Sequence, residues 1–288
     1  MKRLSCLFIF SILMVLSKPV VCAQSVFPQY QKSDSTKVVH LLETARKAHK
    51  NNYMVFFARQ LKGVPYVAQT LEVNKTERLI VNLRQLDCTT YVENVCALTL
   101  CMKQGKYTFD AFCRNLQALR YKDGILDGYT SRLHYFTQWI ENKTQMGFVK
   151  ETQMEKAPFN ATQVININYM STNAEKYPML KGKDSLIAII SSQEKEVNGR
   201  VYRYITKAGI YNNQATRNAI HDGDIIAILT SKKGLDTSHI GIAIWHKNGL
   251  HLLNASQIHK KVVEEPMTLR QYMMKHPSQT GIRVIKVL

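Results

Sequence analysis

The residue with the clearest chemical potential in this sequence is a cysteine at the start of an apolar helix. The segment Leu86–Glu93 places Cys88 in the first helical turn, with Asp87 as the N-cap. Unpaired backbone N–H groups and the positive end of the helix dipole lie there, so we expect a thiol pKa well below the free value of about 8.5. The same N–H groups are suited to hold an oxyanion. The alternative is a buried structural cysteine, a role that suits Cys96 and Cys101.

A histidine on a predicted strand is the candidate base. In Ser238–Ile244, isoleucines alternate with His239 and two small residues, which predicts a strand with an isoleucine core face. On the opposite face, Gly241 and Ala243 leave room for another element, such as the Cys88 helix. An imidazole near the thiol takes its proton and later protonates the leaving amine. A surface histidine beside a small-residue face is the alternative.

Strand parity selects the third member of the site. The next predicted strand contains His251 and Asn254. An even-length loop between the strands places Asn254 on the face of His239 and His251 on the other. Asn254 is therefore predicted to orient the imidazole. A tight turn at Asn248–Gly249 would set Asn254 opposite Ala243, four residues from His239, so the pairing requires another loop or bulges.

The elements that must position these residues change from helices to strands along the chain. Helical periodicity covers residues 35–62, the Cys88 helix, a helix that Thr108 caps, and Leu133–Ile140. A polar region at 142–183 precedes short β-rich runs: Leu186–Ile190, Tyr202–Ile210, Asp224–Leu229, His239–Trp245, Leu250–Asn254 and Ile282–Val287. Helices first and strands later, without βαβ alternation, predict an α+β fold with an antiparallel sheet.

The first 23 residues are predicted to be an export signal. A basic start precedes the apolar run Leu4–Leu16, and cleavage is expected after Ala23. A lipoprotein anchored at Cys22 is the alternative. Residues 24–288 are predicted to form one domain with an N-terminal helical extension, and no later segment has the apolar length of a membrane span. We expect a periplasmic or cell-envelope protein.

Charge and cysteine content restrict the partners. Removal of residues 1–23 lowers the formal net charge from +18 to +15, which favours an anionic partner. For an exported protein that partner is carboxylate-rich peptidoglycan or anionic lipid and not nucleic acid, although solvated lysines also explain the charge. The remaining cysteines form no disulfide framework and no Cys-x-x-Cys pair. A bridge between Cys101 and Cys113 stays open, and no metal or cofactor is expected.

Several motifs together resemble a known family. Asp87–Thr90, Asp222–Ile226, Ser238–Ile242 and Asn254–Ser256 resemble, in order, the motifs of NlpC-type cell-wall hydrolases of the papain-like cysteine peptidase superfamily. The N-acetylmuramoyl-L-alanine amidase-like branch is more closely similar, through Gly63–Tyr66, Leu86–Glu93, Arg120–Gly124 and Ser131–Phe136. The resemblance spans residues 60 to 288 and implies a papain-like fold, with the helical half packed on the sheet.

The resemblance also implies a Cys-His-polar triad. Cys88, His239 and Asn254 match its positions, and Asn254 stands where the superfamily often has a histidine. An asparagine orients an imidazole without offsetting its positive charge. Tyr66 matches a tyrosine that lines the substrate cleft.

Four further residues are expected to contact substrate. Arg132, His134 and Tyr135 belong to the branch-specific block and are expected to bind the anionic stem peptide or the muramoyl lactyl group. Ser238 precedes the catalytic histidine and is expected at the same cleft. Polar packing around a buried arginine is the alternative for the block.

The implied reaction is amide hydrolysis in peptidoglycan or its muropeptide fragments. Attack by Cys88 forms an acyl-enzyme, which water activated by His239 hydrolyses. The branch name indicates the bond between muramic acid and L-alanine, whereas the wider superfamily more often cuts between D-glutamate and a diamino acid. A zinc amidase using His246, His251 and His259 lacks the His-Glu-x-x-His helix. A non-catalytic wall-binding protein also fits the charge.

Overall fold

The computed structural model of this chain describes residues 27–48 and 51–288, so the predicted signal segment lies outside them. The helices are α1 Lys32–Ala48, α2 Tyr53–Gln60, α3 Cys88–Lys103, α4 Phe109–Arg120, α5 Phe136–Gln145, α6 Tyr169–Thr172, α7 Asp184–Val197, α8 Gln214–Ala219 and α9 Leu269–Met274. The strands are β1 Val149–Glu151, β2 Ala161–Val164, β3 Val201–Thr206, β4 Ile225–Thr230, β5 Thr237–His246, β6 Gly249–Ser256, β7 Lys261–Glu264 and β8 Gln279–Val287. Within the described ranges no helix is long and apolar enough to cross a membrane.

The strands form one antiparallel sheet. Its order is β2-β3-β8-β4-β5-β6-β7, and β1 pairs with β8 beside β3. β4 to β7 are joined as successive hairpins or short connections, so neighbours in the chain are neighbours in this half of the sheet. The predicted mixed fold of helices on an antiparallel sheet is confirmed.

The two faces of the sheet carry separate hydrophobic clusters. One cluster joins the sheet to α1 through α5 and includes the isoleucines of β5, Ile240, Ile242 and Ile244. The other joins the opposite face to α9 and includes Ala243 and Leu252. The alternation of side chains along β5 therefore separates two cores, as a strand buried on both faces requires.

The Cys88 helix packs on the isoleucine face of β5, so the expectation that it approaches the small-residue face is wrong. The space beside Gly241 is used by the neighbouring strand. A Cβ at this position would lie 2.7 Å from the Leu252 side chain and 2.8 Å from the Leu253 carbonyl oxygen. Glycine is required here because β6 approaches closely, not because a helix does.

α3 is the central helix of the fold. The Asp87 side chain accepts a hydrogen bond from the Thr90 N–H, and the Thr90 hydroxyl in turn accepts one from the Asp87 N–H, which makes a capping box. Thirteen of its sixteen residues are buried, so the helix is surrounded by protein. It ends before Gly105, whose φ of 65° permits the left-handed turn that terminates a helix.

The described cysteines are all free thiols. Cys96, Cys101 and Cys113 are buried, and Cys88 is partly exposed. The Asn115 side-chain amide donates a hydrogen bond of 3.3 Å to the Cys101 sulfur. A Cys101–Cys113 bridge, left open by the sequence, is therefore not formed.

The predicted strand Tyr202–Ile210 ends at Thr206, and three other predicted elements also differ from the structure. The helical pattern at 35–62 divides into α1 and α2, because Asn52 caps a new helix through the Val55 N–H. The predicted helix at Leu133–Ile140 begins later, at Phe136. The predicted strand Leu186–Ile190 is wrong, because this apolar run lies within α7, where residues 190, 194 and 197 continue a helical stripe. A short apolar run has no periodicity that separates a strand from a helix.

Residues 129 to 202 build a third hydrophobic cluster beside the sheet. Its buried members are Tyr129, Tyr135, Ile165, Ile167, Met170, Met179, Leu180, Ile190 and Val197. Glu194 of α7 ties the cluster together, because it accepts hydrogen bonds from the Tyr135 hydroxyl and the Ser171 N–H. The polar region at 142–183 is thus an ordered part of the fold.

A buried ion pair joins α3 to α4. Arg120 Nε lies 2.8 Å from Glu93 Oε2, and the two residues are 1% and 4% exposed. Arg120 Nη1 also donates to the Ile80 carbonyl oxygen at 2.7 Å. Removing one partner leaves a buried charge without its counterion, which is the costly way to break such a pair.

Arg120→Met is therefore expected to lower the free energy of unfolding by about 3–5 kcal/mol in urea denaturation. Arg114→Met is the matched control, because Arg114 lies on the same helix and forms an exposed pair with Asp110. The control is expected to lose about 0.5 kcal/mol or less. Equal losses in the two variants would contradict a special role for the buried pair.

Candidate active site

The turn between β5 and β6 decides where the predicted third residue lies. Lys247 and Asn248 form this two-residue turn, because His246 pairs with Gly249. The loop has the even length that the parity argument requires. The turn begins one residue earlier than a turn at Asn248–Gly249 would. This shift changes which residues of β5 and β6 are paired across the hairpin.

Asn254 reaches His239 as a diagonal neighbour. The β5–β6 register, continued beyond its last pair, sets Asn254 across from Gly241, two residues from His239 and on the same face. His239 Nε2 lies 3.0 Å from Asn254 Oδ1. The amide oxygen accepts a hydrogen only from a protonated Nε2, so a neutral imidazole in this bond has its lone pair on Nδ1.

A β-bulge lies directly before the histidine. Ile228 pairs with His239 and Leu229 with Thr237, which leaves Ser238 as an extra residue in β5. Bulges bend a strand and re-aim the adjacent side chains. The direction of His239 thus depends on how the start of β5 is held.

Cys88 and His239 line the same cavity, which has a volume of about 240 Å³. Three of the other predicted residues also line it, namely His134, Tyr135 and Ser238. Its remaining lining residues are Thr89, Leu133, Phe136, Trp139, Met170, Tyr177, Leu235, Asp236, Thr237 and Ile240. The α3 start, the β5 start, α5 and the third hydrophobic cluster meet around this space.

The pKa of the Cys88 thiol is raised to about 11, so the expectation of a lowered value is wrong. Burial of the thiol is the main cause, and the negative charge of Asp87 adds to it. Hydrogen bonds from the Ile240 N–H and from Thr89 to the sulfur act in the opposite direction. The helix start therefore supplies donors, but the cost of desolvating a thiolate exceeds their effect.

Burial also lowers the pKa of His239, because it disfavours the imidazolium. The Asn254 hydrogen bond opposes this shift, while the nearby His276 adds to it. Both pKa shifts favour the uncharged forms, a neutral thiol and a neutral imidazole.

Arg132 and His134 line a second cavity of about 190 Å³ that adjoins the first. The Arg132 side chain is 8% exposed and pairs with Glu72 at 2.6 Å and Glu77 at 3.5 Å. Burial, together with the Arg132 charge, lowers the pKa of His134 to about 3, and its Nε2 donates to the Tyr129 carbonyl oxygen. Arg132 already has two carboxylate partners, which favours polar packing around a buried arginine.

Tyr135 and Tyr66 occupy different positions relative to the cavity. The Tyr135 hydroxyl donates to Glu194 and accepts from the Met170 N–H, so its polar end holds the wall together. Tyr66 is not among the residues that line the cavity. Burial is the main cause that raises the pKa of its hydroxyl to about 12, and the nearby negative charges of Cys88 and Asp87 add to the shift. Its N–H donates to the Lys260 carbonyl oxygen.

Several lining residues were not predicted from the sequence. Met170, Tyr177 and Leu235 come from segments without a periodic pattern, so nothing local indicated their place at the cavity. The sequence offered one weak indication for Asp236, namely its place three residues before the candidate base His239. Trp139 lies on the first turns of α5 and is buried against Phe136, with ring centroids 5.0 Å apart.

The histidines that suggested a zinc amidase have other partners. His246 Nε2 lies 2.8 Å from Glu264, and His259 Nε2 lies 3.2 Å from Glu265. Both ring nitrogens of His251 lie 2.8 Å from oxygens, those of Asn248 and the Glu265 main chain. Across the described residues, no cluster of three or more His, Cys, Asp or Glu side chains is arranged to hold a metal ion.

A thiol and an imidazole that line one cavity are a combination suited to hydrolysing acyl bonds. The fold and this site define a candidate hydrolase. The chain belongs to the N-acetylmuramoyl-L-alanine amidase-like (AmiA-like) family, whose sequence model matches residues 56–282. This range contains Cys88, His239 and Asn254.

Solved structures share the fold. A crystal structure of an N-acetylmuramoyl-L-alanine amidase from Bacteroides uniformis has 39% sequence identity and a TM-score of 0.77, covering 82% of this chain and 97% of its own. A putative xylanase from Bacteroides fragilis has 41% identity and a TM-score of 0.75, covering 80% and 99%. A Legionella pneumophila protein with 22% identity has a TM-score of 0.69, covering 89% and 95%. No curated protein matches this chain significantly.

Alkylation of Cys88 by iodoacetamide tests its ionisation. Because the thiol pKa is raised to about 11, the rate constant is expected to rise about tenfold per pH unit from about pH 6 to about pH 10. Mass spectrometry of the Cys88 peptide measures the rate, and Cys88→Ser is the control for reaction elsewhere. A constant rate from about pH 5 to about pH 8 would instead indicate a thiolate–imidazolium pair.

Proposed function

We propose that this protein is a cysteine amidase that hydrolyses the bond between N-acetylmuramic acid and L-alanine in peptidoglycan or its fragments. The observation that carries the proposal is one cavity lined by Cys88 and by His239, whose imidazole is hydrogen-bonded to Asn254. In this proposal Cys88 is the nucleophile, His239 the base and Asn254 its orienter. The arrangement corresponds to a papain-like site of the NlpC type.

The proton path follows from the histidine tautomer. Nε2–H is held by Asn254 Oδ1, so Nδ1 is the nitrogen that accepts the Cys88 proton. The neutral resting pair becomes thiolate and imidazolium as the sulfur attacks the lactyl carbonyl carbon. An asparagine fits this step, because it fixes the ring without a charge that would protonate His239 in the resting state.

The start of α3 supplies donors for the oxyanion. The Asp87 side chain and carbonyl oxygen occupy the N–H groups of Thr90 and Tyr91. The N–H groups of Cys88 and Thr89 are therefore outside the helix's own hydrogen bonds. A developing negative charge on the carbonyl oxygen of the substrate is stabilised by donors of this kind.

Collapse of the tetrahedral intermediate breaks the C–N bond. Imidazolium at His239 gives its proton to the L-alanine nitrogen, which leaves as an amine, and the muramoyl lactyl group remains as a thioester on Cys88. Water then attacks the thioester, with His239 accepting its proton and returning it to the thiol. The products are a free lactyl carboxylate and a free stem peptide.

The comparisons support the choice of bond, and the charge supports an anionic partner. The B. uniformis relative carries the name of an N-acetylmuramoyl-L-alanine amidase, which favours that bond over the one between D-glutamate and a diamino acid. A net charge of +18, or +15 after removal of residues 1–23, favours an anionic wall polymer as partner. We place the protein in the periplasm or cell envelope, exported by the segment ending at Ala23 or anchored at Cys22.

The name of the B. fragilis structure raises a glycoside hydrolase as an alternative. Such enzymes use two carboxyl groups about 5–10 Å apart across the scissile bond. Asp236 is the only carboxylate among the residues lining the Cys88 cavity. Both of its oxygens accept hydrogen bonds from within the protein, at Thr137 and Thr237. The cavity therefore favours the thiol-based reaction.

Digestion of purified sacculi and soluble muropeptides tests the proposed reaction. Wild-type protein is expected to release intact stem peptides with a free L-alanine amine, identified by mass spectrometry. Cys88→Ala is expected to abolish release, because the nucleophile is lost. Cys96→Ala is the matched control, since Cys96 is a buried thiol on the same helix.

Each other outcome has a distinct meaning. Fragments cut after D-glutamate would contradict the choice of bond and support an endopeptidase. Intact substrates with folded, reduced wild-type protein would contradict the enzyme and leave a wall-binding role, in which Cys88→Ala binds sacculi as well as wild type does.

The pH dependence tests the role of His239. A base must be unprotonated, and burial lowers the His239 pKa, so activity is expected to persist below the ordinary histidine value of about 6.5 and to fall only at lower pH. The acidic limb of kcat/KM measures this pKa. His239→Gln is expected to lower kcat by about 100- to 10,000-fold. An acidic limb above about pH 7 would contradict the assignment.

A further inference from the structure

A buried carboxylate stands at the start of the strand that carries His239. Asp236 immediately precedes β5 and is 3% exposed. Its Oδ1 accepts the Thr237 N–H at 2.8 Å, so it holds the first residue of the strand. The bulge at Ser238 follows directly, and His239 is the next residue.

The same carboxylate also holds the helix that forms the opposite wall. Asp236 Oδ2 accepts the N–H of Thr137 in the first turn of α5 at 2.7 Å. No side chain of α5 or its preceding residue caps this helix, so Asp236 provides the cap from another element. Phe136 and Trp139 of α5 line the cavity with His239.

A buried charge network continues from this contact into the sheet. The Thr137 hydroxyl accepts a hydrogen bond of 2.8 Å from Arg283 Nη1 on β8. Arg283 is fully buried and its Nη2 donates to Glu151 of β1 at 2.9 Å. Asp236 thus ends a chain of partners that links β1, β8, α5 and β5.

We infer that Asp236 is a positioning residue for His239, because it clamps the bulged start of β5 to the first turn of α5. This inference rests on the proposed function, since it names what sets the geometry of that site. Both oxygens of Asp236 are engaged within the protein, so it does not act as a base or bind substrate. A bulge disrupts the pairing ladder locally, and the Asp236 hydrogen bonds to Thr237 and Thr137 hold the strand at this point.

Asp236→Asn tests the inference with a side chain of the same shape. One carboxylate oxygen becomes an NH₂ group, which faces a backbone N–H and cannot accept from it. With muropeptide substrate, kcat is expected to fall about 100-fold, the loss typical of a small displacement of a catalytic group. KM is expected to change less than about threefold, because no substrate contact is removed.

The resonance of the His239 Nε2 proton is the second readout. In labelled wild-type protein the Asn254 hydrogen bond protects this proton from solvent exchange, and His239→Gln assigns its signal. In Asp236→Asn we expect the signal to shift or broaden. Asp236→Ser, which keeps one acceptor but cannot join Thr137 to Thr237, is expected to behave alike and serves if the Asn variant does not fold.

Asp34→Asn is the matched control. Asp34 is fully buried and accepts N–H groups of Gln31 and Leu83, but it lies on α1 away from the cavity. It is expected to lower the melting temperature while leaving kcat and the His239 signal unchanged. Wild-type kcat and signal in folded Asp236→Asn, or equal changes in Asp34→Asn, would overturn the inference. If wild type hydrolyses no muropeptide, the proposed function fails, and the His239 signal still decides the positioning role.

Discussion

The burial of thirteen of the sixteen residues of α3, in the cluster that includes the isoleucine face of the sheet, is the constraint on which the site depends. A helix surrounded by protein cannot tilt or slide without opening the core, so its first residue has a fixed place. That residue is Cys88, and the N–H of Ile240 on β5 contacts its sulfur. The packing of the largest hydrophobic cluster therefore also fixes the position of the Cys88 thiol.

This burial also determines the charge state of the site. A thiolate and an imidazolium are both disfavoured when water is removed, and the two pKa shifts move in opposite directions, towards the neutral pair. A carboxylate in place of Asn254 would favour the imidazolium. The neutral asparagine is thus consistent with a site that separates charge only during the reaction.

The field near the thiol differs from the charge of the whole chain. The chain carries a net +18, yet three carboxylates, those of Glu72, Asp87 and Glu93, line the cavity that adjoins the thiol. Arg132 and Arg120 are held as their partners. The charge of the whole chain acts at a distance, whereas these local pairs act on the groups that line the two cavities.

Local signals in the sequence determined Cys88 at a capped helix start, His239 on an alternating strand and, through parity, the face of Asn254. Capping and strand alternation depend on residues a few positions apart, so they can be derived without the fold. The position of the turn at Lys247 and Asn248, the face of β5 that α3 covers and the helical state of residues 186–190 were decided by tertiary packing. The rise of the Cys88 pKa was decided there too, because desolvation depends on residues distant in the chain that close over the thiol. The contact that Asp236 makes between β5 and α5 was likewise decided by the tertiary structure, because the helix, the bulge and the buried arginine are distant from one another in the chain.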